Sequence, residues 1–130
     1  MTTMEISELK IRNRVRYKKQ TYVLTGVSLN ENGEYYVHIR NRKRKLYIPA
    51  RIIKPVKIDE SWLEKFGFIK TYDSKHILRF ERLEESLKFD IDLHNSKVMS
   101  GLKLYGTNIN CAYVHQFQNL FYFIFGKELV

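Results

Sequence analysis

Short β-like runs closed by turn signals fill the first part of the chain, and their spacing constrains the fold more than any other feature. TYVLTGVSL (Thr21–Leu29) runs into NENG (Asn30–Gly33), YYVHIR (Tyr35–Arg40) into a polar tip, and KLYIP (Lys45–Pro49) into the apolar run Ile52–Val56. NENG combines Asx side chains that bond their own backbone with a glycine free to take positive φ, so it predicts a tight turn. Gly26 inside a strand pattern predicts a bulge. Pro55 suits an edge or closing strand, because it cannot donate to a ladder. Residues 9–18 read as a further strand, with Lys19 and Gln20 as the turn after it. Short strands at this spacing predict a small β-barrel of the Src-homology kind over residues 1–57.

Residues 58–130 read differently. Asp59 is placed to cap a short helix, Glu60 to Phe66, with Trp62, Leu63 and Phe66 on its apolar face and Gly67 at its end. HILRFERL (His76–Leu83), SLKFDIDL (Ser86–Leu93) and VMSGLKLYG (Val98–Gly106) follow as strands, with turns at Glu84–Glu85 and at His94–Lys97. Asn108–Cys111 is a candidate fourth strand. At the C-terminus Val114, Phe117, Leu120, Phe121 and Ile124 form a helical stripe ended by Gly126. Tyr113, Tyr122, Phe123 and Phe125 widen it, so this helix is expected to form the main core of the second lobe, or to lie partly in a partner chain as a homo-oligomer contact. The predicted class is α+β: an N-terminal small β-barrel, then antiparallel strands packed on a C-terminal aromatic helix.

The charge is unevenly distributed. Residues 1–57 hold 14 Lys/Arg and 4 Glu, a net of +10, while residues 58–130 hold 9 Lys/Arg and 10 Asp/Glu, a net of −1. Such asymmetry points a basic face at an anion. One cluster, Lys10, Arg12, Arg14, Arg16 and Lys18, repeats every second residue and predicts one cationic face of a strand. The other, Arg40 to Lys45, sits between two β-like runs at a hairpin tip. Phosphate chemistry suits both, since Lys and Arg neutralise phosphate and nearby rings stack on bases. The candidate ligand-binding residues are therefore Arg12, Arg14, Arg16, Lys18, Arg40, Arg42, Lys43, Arg44, Tyr36 and Tyr47. A solvated basic surface is the simpler alternative.

Nothing in the sequence marks an enzyme: a zinc-protease helix, a P-loop, a Gly-rich dinucleotide loop and a nucleophile elbow are absent. His38, His76, His94 and His115 show no ligand spacing, so no metal or cofactor is expected. Cys111 and His115 would share a face only if the helix began before Cys111, and Asp90 with Asp92 on an alternating strand reads as a solvated face. His115, Gln116 and Asn119 interrupt an otherwise apolar helix and read as polar groups that fix how it docks. A single cysteine favours a reducing compartment. With no run of 18 apolar residues and no signal-peptide core at the start, a cytoplasmic protein without a membrane partner is expected.

Two segments carry a family resemblance. IDESWLEKFGF (Ile58–Phe68) resembles a "WLxKFGF" signature, and YVHQFQNLFYFIFGKEL (Tyr113–Leu129) resembles "VHQLQNLYFALTGEEL". The opening ELKIRNRV (Glu8–Val15) is similar to "LRIGN", with arginine at position 12 where the pattern often has glycine. Ile124 and Phe125 stand where Leu and Thr are usual. The resemblance is to a family of small uncharacterised proteins from phages, prophages and mobile elements of Bacteroides-like gut bacteria. It implies a phage-type accessory protein acting in the host bacterial cytoplasm, and no activity.

The sequence thus predicts binding without catalysis. In one reading the protein captures a phosphorylated small molecule, such as a cyclic nucleotide immune signal, and blunts host defence. In another the basic barrel binds DNA or RNA through its backbone. A third has it inhibit through a protein partner. An extended cationic surface would favour nucleic acid, and a deep pocket with convergent arginines a small nucleotide.

Overall fold

The computed structural model describes the backbone over residues 6–74, 77–84, 87–94, 98–104, 107–109 and 111–129, and side chains over 6–74, 77–82, 91 and 111–129. The chain is α+β, with antiparallel strands throughout and a C-terminal helix. It divides into two compact units. One comprises Met1–Val56 with Val114–Leu120, the other Lys57–Tyr113 with Phe121–Val130. The C-terminal helix, expected wholly in the second lobe, is thus shared by both.

In the first unit, strands β1 (Arg14–Tyr17), β2 (Gln20–Leu29), β3 (Tyr35–Arg40) and β4 (Lys45–Pro49) form an antiparallel meander. A 3₁₀ turn at Ala50–Ile52 then leads to the two-residue strand β5 (Lys54–Pro55), which pairs with β1. The order is β4-β3-β2-β1-β5, an open sheet in which no pairing of β4 with β5 closes a barrel among the described residues. Alternation explains the core: Val15, Tyr22, Leu24, Val37 and Ile39 point to one face and bury there with Ala50 and Ile53. Burying Leu24, Ile39 or Ile53 contributes roughly 1.5–3 kcal/mol each. The bulge expected at Gly26 is present, as a register shift between Leu24 and Gly26. A Cβ at Gly26 would lie 3.2 Å from His38 Cδ2, so the glycine makes room for the His38 ring.

The strand expected over residues 9–18 is shorter than its pattern. Residues 10–13 form a tight turn instead, in which the Asn13 N–H donates to the Lys10 carbonyl and Arg12 takes φ +79°. Positive φ at the third turn residue is the position a type II turn gives to glycine. Asn13 Oδ1 accepts from the Lys10 N–H at 2.6 Å, a local side-chain bond that competes with strand pairing. The next turn is Lys18–Lys19, one residue earlier than expected. Tyr17 pairs with Gln20 across it, and both lysines have positive φ, 47° and 66°. That is the two-residue hairpin loop that normally selects Asn-Gly.

Helix α2 (Val114–Phe125) contributes residues 114–120 to this unit, and polar bonds hold them to the turn before β1. Gln118 Oε1 accepts from the Arg14 N–H at 2.9 Å, and its Nε2 donates to the Arg12 carbonyl at 3.2 Å. Asn119 Oδ1 accepts from Asn13 Nδ2 at 2.8 Å, and its amide donates to the Glu8 carbonyl. His115 Nε2 lies 3.1 Å from Glu8 Oε2. Asn13, His115 and Gln118 are all buried. The sequence marked His115, Gln116 and Asn119 for this role and passed over Gln118, the residue bonded to both strand-entry backbone groups.

In the second unit Asp59 caps α1 (Glu60–Lys65), its Oδ1 accepting from the Trp62 N–H at 3.0 Å, and Gly67 ends it at φ +80°. Five strands follow: β6 (Ile69–Asp73), β7 (Ile77–Glu84), β8 (Leu87–His94), β9 (Val98–Leu104) and β10 (Thr107–Ile109), in the sheet order β10-β9-β8-β7-β6. β6 was not foreseen, because all five of its residues are exposed and show no buried alternation. Its register shift between Lys70 and Tyr72 is a bulge of the kind that blunts an edge strand. The expected fourth strand at 108–111 lies at Thr107–Ile109 instead. Residues 95–97 of the expected His94–Lys97 turn, and Glu85 of the other, lie outside the described residues. Arg82 donates to the Phe66 carbonyl at the end of α1, and its guanidinium lies 5.2 Å from the Phe121 ring centroid. Among the described residues, no helix is long and apolar enough to cross a membrane.

Candidate functional site

The outer face of the first sheet gathers cations that the sequence places far apart. Directly opposed residues on neighbouring strands share a face. Arg14 pairs with Val23, Val23 with Arg40, and Arg40 with Lys45, giving one row across four strands. A second row runs Lys54–Arg16–Thr21. The strands β1 to β5 contain no Asp or Glu. The described acids of this part lie elsewhere: Glu8 in the N-terminal 3₁₀ turn Ile6–Glu8, and Glu31 and Glu34 beyond the far ends of β2 and β3, while Glu5 lies outside the described residues. Glu34 is engaged by Arg51 at 2.8 Å. Among the described residues, no carboxylate pairs with Arg16, Arg40, Lys45 or Lys54. Two pairs of like charges, Arg16 with Lys54 and Arg40 with Lys45, therefore stand directly opposite one another, an arrangement that costs stability.

Continuing along β3 and β4 on the same face, His38 pairs with Tyr47, and Tyr36 with Pro49. The Tyr47 ring lies 4.4 Å from His38 and 4.9 Å from Tyr36 between centroids, the latter stacked at 25°. Its hydroxyl is 3.1 Å from Ser28 Oγ. Tyr47 stays half exposed.

Five further cations, Lys18, Lys19, Arg42, Lys43 and Arg44, collect at one end of the sheet, where both the β1–β2 and β3–β4 turns lie. Asn41 Oδ1 accepts from the backbone of Lys43 and Arg44, each at 2.9 Å, which shapes the tip and leaves Arg42, Lys43 and Arg44 exposed. Asn41 Nδ2 reaches Gln20 Oε1 at 3.2 Å, linking this tip to the Lys18–Lys19 turn.

Of the ten residues expected to bind ligand, Arg14, Arg16, Arg40, Tyr36 and Tyr47 share the outer face. Lys18, Arg42, Lys43 and Arg44 lie at the turn end, and Arg12 lies in the turn before β1. The expectation that Lys10, Arg12, Arg14, Arg16 and Lys18 line one strand face is corrected, since only Arg14 and Arg16 lie in β1, with Lys10 and Arg12 in the turn before it and Lys18 in the turn after it. Lys45, Lys54 and His38 join the face unforeseen. Lys45 was legible as the residue facing Arg40 across a four-residue loop. Lys54 reaches Arg16 only through the return of β5, which no local pattern encodes.

All three non-glycine residues with positive φ among the described residues, Arg12, Lys18 and Lys19, are cations. The left-handed region costs an L-residue about 1–2 kcal/mol. Replacing Lys18→Asn and Lys19→Gly should therefore raise unfolding free energy by about 1–2 kcal/mol, read from the denaturant midpoint. An unchanged or lower midpoint would show that the lysines make compensating contacts.

The thiol and imidazole once paired by spacing do not form a reactive couple on one helix face. Cys111 precedes α2, and burial pushes its thiol up to about 12, partly offset by a backbone hydrogen bond with Tyr113. It is protonated at neutral pH, so nucleophilic chemistry is not favoured there. Burial lowers the His115 pKa, and the hydrogen bond and charge of Glu8 oppose that shift. A histidine whose folded pKa lies below its unfolded value binds fewer protons when folded. Its contribution to stability is complete above the unfolded pKa, about 6.5, and is lost as pH falls below it. The denaturant midpoint should drop between pH 7.5 and 5, and His115→Gln should flatten that drop. Equal slopes for the two proteins would exclude His115 as the cause. Among the described residues, no group of His, Cys, Asp and Glu is arranged to hold a metal ion. Comparison with protein-family models, curated proteins and solved structures finds no match to the chain.

Proposed function

We propose that the first unit is a non-catalytic nucleic-acid-binding module whose phosphate contacts are Arg14, Arg16, Arg40, Lys45 and Lys54. The observation that carries this reading is the two pairs of directly opposed like charges, Arg16–Lys54 and Arg40–Lys45, on one sheet face with no acid in any of its strands, β1 to β5. Self-repulsion of that kind weakens a free protein and is relieved by a polyanion laid across it. The rows span the sheet rather than converge on one point, which suits a chain of phosphates better than a single one. We also read the unit as a small barrel of the Src-homology kind left open between β4 and β5, since a four-strand meander returns through a 3₁₀ turn to set β5 beside β1. The family resemblance adds a phage-type accessory role in a bacterial cytoplasm to the same proposal.

A second reading has a specific observation in its favour. The Lys18–Lys19 turn and the Arg42–Arg44 tip lie at one end of the sheet, joined by the Asn41–Gln20 bond. Five cations there could hold a phosphorylated small molecule such as a cyclic nucleotide. Titrating DNA and RNA oligonucleotides and a panel of cyclic nucleotides against the protein separates the two. Oligonucleotide binding that weakens steeply with salt supports the main reading. Saturable binding of one cyclic nucleotide per chain, with no oligonucleotide affinity, replaces it with the second.

A further inference from the structure

We infer that the nucleic acid taken by this face is single-stranded, with a base stacked on Tyr47; this rests on the reading just given and specifies its ligand. Tyr47 is fixed where a stacking platform has to be. It packs on Tyr36 and His38, its hydroxyl is held near Ser28 Oγ, and half of its surface still meets solvent. A ring held on several sides loses little further freedom when a base covers it. His38 in turn lies over Gly26, the one place in β2 where a missing Cβ leaves room for it.

The neighbouring row supplies the other half of a nucleotide. Arg40 follows His38 by two residues on β3, and Lys45 precedes Tyr47 by two on β4. Two residues along a strand is about 6.7 Å, so a cation pair lies beside the ring pair on the same face. A base on Tyr47 would leave its phosphate near Arg40 and Lys45. Bases in a duplex are already stacked and paired and cannot cover a ring on an open sheet, whereas a single strand can splay them out. A duplex would instead be gripped by phosphate contacts alone, or by the β3–β4 tip entering a groove as a two-stranded ribbon, and Tyr47 would be idle.

The test compares labelled single strands of about 12 nucleotides, within the usual span of such sites, with a duplex of the same length by fluorescence anisotropy. The proteins are the full chain, Tyr47→Ala, Tyr47→Phe and Arg40→Ala, each checked for an unchanged denaturant midpoint. The single strand should bind at least about tenfold tighter than the duplex. Tyr47→Ala should lose about 5- to 150-fold on the single strand and little on the duplex, as expected for one lost stacking contact. Tyr47→Phe should retain binding, and Arg40→Ala should weaken both ligands. If the duplex binds as tightly, or Tyr47→Ala leaves the single strand unaffected, the single-strand inference fails while nucleic-acid binding stands. If neither ligand binds, the underlying reading fails with it.

Discussion

Replacing Arg14, Arg16, Arg40 and Lys45 together by alanine should lower nucleic-acid affinity by about a hundredfold or more at low salt, with the fold retained. Hydrogen bonds to charged groups contribute about 1.5–3 kcal/mol each before losses, so four lost phosphate contacts exceed that figure even when heavily discounted. The salt dependence should also flatten. Each phosphate contact on a single strand contributes about 0.7 to the slope of log affinity against log salt, so the slope should shrink by about 3. Stability should stay within about 1–2 kcal/mol of the parent, since Arg16, Arg40 and Lys45 are exposed and Arg14 is half-buried, and loss of the Arg40–Lys45 repulsion works in its favour. The measurement is anisotropy at several salt concentrations beside a denaturant titration. An unchanged slope would mean that these four side chains meet no phosphate. The Lys18→Asn/Lys19→Gly variant complements this test. A gain in stability accompanied by weaker binding would indicate that charge, not folding, keeps lysine in a strained turn.

The largest stability effect should come from Phe117→Ala, a loss of about 3–5 kcal/mol. Phe117 lies in the part of α2 that belongs to the first unit and is fully buried, whereas Phe123 on the same helix is 87% exposed. Phe123→Ala should therefore change stability by less than about 0.5 kcal/mol. Thermal or denaturant unfolding of both variants checks the contrast. Equal losses would mean that the Phe123 ring is covered by another copy of the chain, the homo-oligomer contact that the helix's aromatic surface offered as the alternative.

Local rules carried the reading of this chain a long way, and their failures have identifiable causes. The strands β2, β3 and β4 were legible because turn residues bracket alternating apolar positions, and the bulge was legible because Gly26 interrupts them. The same period of two misled at residues 9–13. There Asn13 bonds the Lys10 backbone, and Gln118 and Asn119, more than a hundred residues away, take up the neighbouring polar groups. A distant polar network outranks a local pattern, and no window of sequence contains both sides of it. β6 escaped because an edge strand exposed on both faces has no periodicity to show. Half of the candidate site was visible as clustered cations and tyrosines. The rest needed register: only strand pairing reveals that Lys54 stands opposite Arg16, or that His38 and Tyr47 share a row with cations next to it.

The claim that the outer face of the first sheet is the binding surface is tested most directly by mapping contacts residue by residue. Titrating a short single-stranded oligonucleotide into isotopically labelled protein, and following backbone amide resonances, locates the ligand without assuming its site. The account predicts the largest shifts at Arg14, Arg16, His38, Arg40, Lys45, Tyr47 and Lys54, with small ones at Val15, Leu24 and Val37 on the buried face. Shifts concentrated in β6 to β10, or confined to the Lys18–Lys19 and Arg42–Arg44 turns while the outer face stays silent, would contradict it.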